Sequence, residues 1–183
     1  GGSEVLELIE QPSREPGPHE VRVRNRAIGL NFIDTYYRSG LYAPPSLPSG
    51  LGTEAAGEVE AVGSAVSHLR VGDRVTYATG PLGACAELHV LPAQHLVRLP
   101  ESISFEQAAA LMLKGLTVQY LLRQTYRVEA GQTILWHAAA GGVGLIACQW
   151  AKALGATVIG TVSNEAKAAL ATAHGCEHII FYT

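Results

Sequence analysis

Hydrophobic and polar residues alternate with a period of two through much of the first hundred positions. Val5 to Ile9, Glu20 to Ile28, Glu54 to Val62, Ala84 to Val90 and Leu96 to Leu99 are therefore predicted as strands. Around Val21, Val23 and Asn25 the intervening residues are Arg22, Arg24 and Arg26, which suits one buried and one solvated face. Val71 to Val75 carries Gly72-Asp73 and reads as a turn entering a strand. Asn31 to Arg38 breaks the alternation and predicts a short helix, followed by the loop Ser39 to Pro45.

From Ser104 the period lengthens. Ser104-Phe105-Glu106-Gln107 is a capping-box pattern, and an Ala- and Leu-rich helical stretch follows to about Tyr126. Gly115 interrupts it, which predicts two helices with a break near Lys114-Gly115. The run Gly131 to Gly144 next reads as a buried strand and a tight turn through Ala139, Gly141 and Gly144, with a helix from Leu145 to Lys152 after it. Thr157 to Val162, Asn164 to His174 and His178 to Tyr182 then predict strand, helix and strand. Such alternation is the signature of an α/β fold with a parallel sheet. The joint is placed at 113/114, with a β-rich domain before it and a nucleotide domain after it.

The turn is where chemistry enters. Residues with little or no side chain let backbone N–H groups approach a dinucleotide diphosphate, and the helix start adds its partial positive charge. The spacing departs from G-x-G-x-x-G, since Ala139 holds the first glycine position. A site for NAD normally has an acid at the end of the second strand, about 20 residues on. Thr161-Val162-Ser163-Asn164 has none there, and Lys167 follows. A hydroxyl, an amide and an ammonium suit a 2′-phosphate, so NADPH is the expected cofactor.

Composition narrows the field. A net charge of −3 with 16% charged residues gives no basic footprint for nucleic acid. No apolar run is long enough to span a membrane, and no secretion signal is recognisable. Cys85, Cys148 and Cys176 are far apart and form no C-x-x-C pair, so the expected setting is a reducing cytoplasm, with Cys148 as a small core residue. His68, His89, His95 and His137 lack metal-ligand spacing. Only the first three of the usual six strands of a nucleotide fold are found, so the chain is expected to stop short of a complete one.

The stretch Gly131 to Lys152, together with Asn31-Phe32-Ile33-Asp34, Gly52-Thr53-Glu54-Ala55-Ala56-Gly57 and Lys114-Gly115-Leu116-Thr117, resembles the zinc-free quinone oxidoreductases. These are the zeta-crystallin-like branch of the medium-chain dehydrogenases/reductases. The resemblance implies an N-terminal GroES-like barrel domain (1–113) and the first half of a Rossmann domain (114–183). The zinc-dependent relatives place cysteine at Asn31 and histidine at Thr53, and carry a four-cysteine lobe where only Cys85 stands, so no metal is expected. Hydride transfer from NADPH to a small-molecule quinone is the implied reaction. An enoyl or alkenal reductase and a non-catalytic, crystallin-like NADPH-binding protein are the alternatives.

On this resemblance Asn31, Asp34, Tyr36, Tyr42 and Thr117 are the candidate catalytic groups, and one of Tyr36 and Tyr37 is expected to face the core. Phe32, Ile33, Thr35, Tyr120, Ala139, Gly141, Gly142, Val143, Gly144, Ser163, Asn164, Lys167 and Tyr182 are the candidate cofactor contacts. A homodimer of the full-length protein is the expected assembly.

Overall fold

A computed structural model describes residues 1–182. The chain divides into two compact units, 1–113 and 114–183.

The first unit is built on antiparallel strands. β1 (Glu20–Gly29), β2 (Glu54–Val62), β3 (Arg74–Tyr77), β4 (Leu88–Pro92) and β5 (Val97–Arg98) form one sheet in the order β4-β1-β2-β3-β5. The helix α1 (Phe32–Ser39) lies between β1 and β2 in sequence. Val21, Val23, Ala55, Val59, Val75, Tyr77 and Leu91 make the core, as strict alternation along β1 demands. The opposite face of β1 is solvated. Arg22, Arg24 and Arg26 pair there with Glu15, Glu60 and Glu58.

Three expectations for this unit fail, each for a local reason. Val5 to Ile9 is not a strand: Ser3–Val5 is a 3-10 turn and Leu8 is fully exposed. Alternation makes a strand only where a ladder partner exists, and this segment enters no ladder. β4 begins at Leu88 rather than Ala84, because the Asn25 side chain occupies the preceding carbonyls. Its Nδ2 donates to Ala84 O at 3.0 Å and to Ala86 O at 2.9 Å. Neither Tyr36 nor Tyr37 turns into the core; both pack edge-on against Tyr42, with ring centroids 5.4 and 6.0 Å away.

The joint between units falls within α2 (Phe105–Tyr120). Ser104 and Gln107 exchange capping bonds at 2.9 and 3.2 Å, so the expected capping box forms. The expected break at Gly115 does not. An interior glycine costs a helix about 1 kcal/mol, which the flanking good helix formers override. After Tyr120 the helix widens by one turn, Leu121–Thr125, and ends.

The second unit carries a parallel sheet in the order β6-β7-β8, namely β6 (Thr133–Trp136), β7 (Thr157–Val162) and β8 (His178–Phe181). The connecting helices are α3 (Gly142–Ala153) and α4 (Glu165–Ala173). Val118, Ala147, Cys148, Ala151, Val158, Val162 and Ala171 form its core. Cys148 is buried there, and that burial pushes its thiol up to about 12. β6 is half exposed rather than buried, since it is an edge strand of the described sheet and Leu135 faces out. α3 starts at Gly142, three residues earlier than the sequence pattern predicts, so the glycines themselves form its first turn.

No helix among the described residues is long and apolar enough to cross a membrane.

Candidate functional site

The turn between β6 and α3 has the geometry an anion needs. Gly141 and Gly142 are exposed, while Ala139 and Gly144 are buried. The first helical bond of α3 runs from Leu145 N–H to Gly141 O at 2.9 Å. The N–H groups of Gly142, Val143 and Gly144 precede it and have no partner within the helix. Gly144 is required by packing: a Cβ there would lie 2.5 Å from Ala138 O and 2.6 Å from Ala139 O. Ala139 at the first glycine position is fully buried and points its methyl into the core, which explains why alanine is accepted there.

The ends of β7 and β8 meet close by. Asn164 caps α4 through its Oδ1, which accepts from Lys167 N–H at 2.9 Å. The Lys167 ammonium donates to Ser163 Oγ at 3.0 Å. Tyr182 N–H donates to Val162 O at 3.1 Å, and its ring is half exposed. Ser163, Asn164, Lys167 and Tyr182 therefore gather at one end of the sheet. Their donor set, a hydroxyl and an ammonium with no acid at the strand end, fits a phosphate monoester. The turn fits a diphosphate by the same test, because it offers donors where side chains would block approach. Thr117 and Tyr120 stand on α2 in the same unit, with Tyr120 half exposed.

The first unit gathers a different group. Asn31 precedes α1, and its backbone N–H donates to the Asp34 carboxylate at 2.8 Å. Asp34 is buried. The Asn31 side-chain amide donates to Glu54 Oε2 at 2.6 Å, and Glu54 Oε1 accepts from Leu113 N–H at 2.6 Å. Glu54 is fully buried. Gly29 makes room for it, since a Cβ at Gly29 would run into the Glu54 carboxylate and Ala109 O. Phe32 is exposed, Ile33 and Thr35 are half-buried, and Thr35 Oγ donates back to Phe32 O at 2.6 Å. Glu54 was not among the expected site residues. Its signal was an acid among small residues at a strand start, Thr53-Glu54-Ala55-Ala56-Gly57.

A second buried polar group lies within the same unit. Tyr77 OH donates to Asn25 Oδ1 at 3.0 Å and lies 3.1 Å from His89 Nδ1. Burial lowers the His89 pKa to about 4. Among the described residues, no three His, Cys, Asp or Glu side chains converge as a metal site would require.

With both arrangements in view, the relatives can be placed. Residues 17–101 match the family described as Alcohol dehydrogenase GroES-like domain, and residues 142–183 match Zinc-binding dehydrogenase. The chain belongs to the medium-chain dehydrogenase/reductase family. Within that family it stands with the quinone oxidoreductases. It is 70% identical over 183 residues to Quinone oxidoreductase of Pseudomonas aeruginosa, covering all of this chain and 56% of that relative. It is 47% identical over 188 residues to 2-haloacrylate reductase of Burkholderia sp, again covering all of this chain and 56% of the relative. The structure of Escherichia coli quinone oxidoreductase complexed with NADPH superposes with a TM-score of 0.96 at 59% identity, over 98% of this chain and 55% of that one. The chain thus spans about half the length of the curated relatives it matches.

Proposed function

We propose that this chain is the part of an NADPH-dependent quinone reductase that binds the cofactor and orients the acceptor, working by hydride transfer without a metal. The Ser163–Lys167 contact carries the reading. It holds a hydroxyl and an ammonium 3.0 Å apart where an NAD site needs an acid. The likeness to the NADPH-complexed quinone oxidoreductase of Escherichia coli supports the same choice of cofactor.

When bound, NADPH supplies the hydride. In 114–183, the N–H groups of Gly142, Val143 and Gly144 bind the diphosphate, with Ala139 and Gly141 keeping its approach open. Ser163, Asn164 and Lys167 hold the 2′-phosphate, and Tyr182 flanks the adenosine. Tyr120 is a further cofactor contact and Thr117 a further polar group for the acceptor. In 1–113, Phe32, Ile33 and Thr35 contact the cofactor. Asn31, Tyr36 and Tyr42 orient the acceptor, and Asp34 fixes Asn31 through its backbone N–H. A quinone that takes a hydride needs one proton on oxygen to become the hydroquinone, and a tyrosine hydroxyl or solvent supplies it. The three unpaired thiols support a reducing, cytoplasmic setting. A homodimer is the assembly we assign to the full-length protein.

The similarity to 2-haloacrylate reductase favours one second reading, reduction of a C=C bond conjugated to a carbonyl group. NADPH oxidation by the full-length protein with 1,4-benzoquinone, compared with an α,β-unsaturated carbonyl, separates the two. Faster turnover with the quinone is expected. Faster turnover with the enal would transfer the assignment to the second reading.

A further inference from the structure

We infer that Thr161 is a positioning residue for the dinucleotide turn, setting its backbone from the neighbouring strand; the inference rests on reading that turn as the diphosphate site. Thr161 lies near the end of β7 and is 7% exposed. On one side it pairs with Ile180 of β8, but pairing with β6 does not account for its contacts on the other. The β6–β7 register ends at Trp136 opposite Gly160, and Thr161 reaches past it.

Three bonds tie it to the residues after β6. Its carbonyl accepts from Ala139 N–H at 3.1 Å. Its hydroxyl accepts from Ala138 N–H at 3.2 Å and lies 3.3 Å from His137 Nδ1. A backbone N–H can only donate, so Oγ is the acceptor toward Ala138. Toward His137 Nδ1 the hydroxyl can donate or accept, according to the imidazole tautomer.

The turn needs such a brace. Ala138 has φ of 53°, a left-handed conformation that residues with a Cβ rarely adopt. Its carbonyl closes the turn by accepting from Gly141 N–H at 2.8 Å, and Gly144 packs directly beneath that carbonyl. The orientation of the Ala138 peptide therefore sets where the first N–H groups of α3 point. Thr161 also stands two residues before Ser163. One side chain thus links the diphosphate turn to the strand end that holds the 2′-phosphate group.

The test uses the full-length protein as wild type, Thr161→Val and Thr161→Ser, titrated with NADPH and separately with adenosine 2′-monophosphate, which is too short to reach the turn. Valine keeps the shape and deletes the hydroxyl. NADPH should bind T161V about tenfold more weakly, the worth of one lost backbone bond. Adenosine 2′-monophosphate should bind unchanged, and T161S should restore NADPH affinity to within about twofold of wild type. Unaltered NADPH binding by T161V, equal loss of both ligands, or no rescue by serine would each overturn the inference. A wild-type protein that binds neither ligand would instead overturn the reading of the site on which it rests.

Discussion

The candidate sites of the two units are made of different materials. In 114–183 the candidate diphosphate site is backbone: N–H groups at the start of α3, exposed because Gly141 and Gly142 have no side chains to cover them. In 1–113 the polar centre is made of side chains. Asn31, Asp34 and Glu54 are joined across α1, β2 and the Leu113 N–H of α2, and Glu54 is fully buried. The first arrangement is open and is disrupted by adding atoms. The second is enclosed and is disrupted by removing them.

The largest effect should come from the enclosed centre. Glu54→Ala takes away the acceptor for both the Asn31 amide and the Leu113 N–H. Two donors lose this buried acceptor, at a cost of about 4 kcal/mol in unfolding free energy. Urea unfolding measures this, and Glu54→Gln, which keeps an acceptor, should lose less. If the comparison holds, NADPH affinity of the folded fraction stays within about twofold of wild type.

Acid probes the same unit next. His89 is buried neutral beside Tyr77, with its pKa lowered from 6.5 to about 4. Between those values the unfolded chain binds the proton and the folded chain does not. Stability is therefore fully present above about pH 6.5 and falls as pH drops toward 4, by on the order of 3 kcal/mol. Urea midpoints measured from pH 7 to pH 4 should show that slope, and His89→Phe should flatten it.

The open site should respond to added bulk. Gly144→Ala puts a methyl 2.5 Å from Ala138 O, so the turn must move. Overpacking of this kind costs about 1–3 kcal/mol. Because the Ala138 carbonyl closes the turn that aims the α3 N–H groups, NADPH affinity should fall about 100-fold by calorimetric titration. An unchanged affinity would mean that the turn is not the diphosphate site.

The same contrast explains what could be read in advance. The turn was legible because backbone recognition leaves a contiguous trace: Ala139, Gly141 and Gly144 between a strand pattern and a helix pattern. The strands of β2 and β7 were legible from alternation and apolar runs. The Glu54 centre was not, because its partners are distant in sequence and only folding brings Asn31, Glu54 and Leu113 together. Thr161 left no trace either, since a β-branched residue at a strand end looks like any other strand former. The errors at Val5 to Ile9 and Ala84 share one cause. Alternation reports a chain able to pair, and pairing is decided elsewhere, in the second case by the Asn25 amide.

The smallest perturbation bears most directly on the central claim, that the Ser163–Lys167 pair beside the open turn selects a 2′-phosphate. NADPH and NADH should be titrated side by side into the full-length wild type and Lys167→Ala. The Lys167–Ser163 arrangement predicts that wild type binds NADPH at least about tenfold more tightly than NADH, and that the variant loses most of that margin while binding NADH as before. Tighter binding of NADH by wild type, or a margin that survives the loss of Lys167, would contradict it.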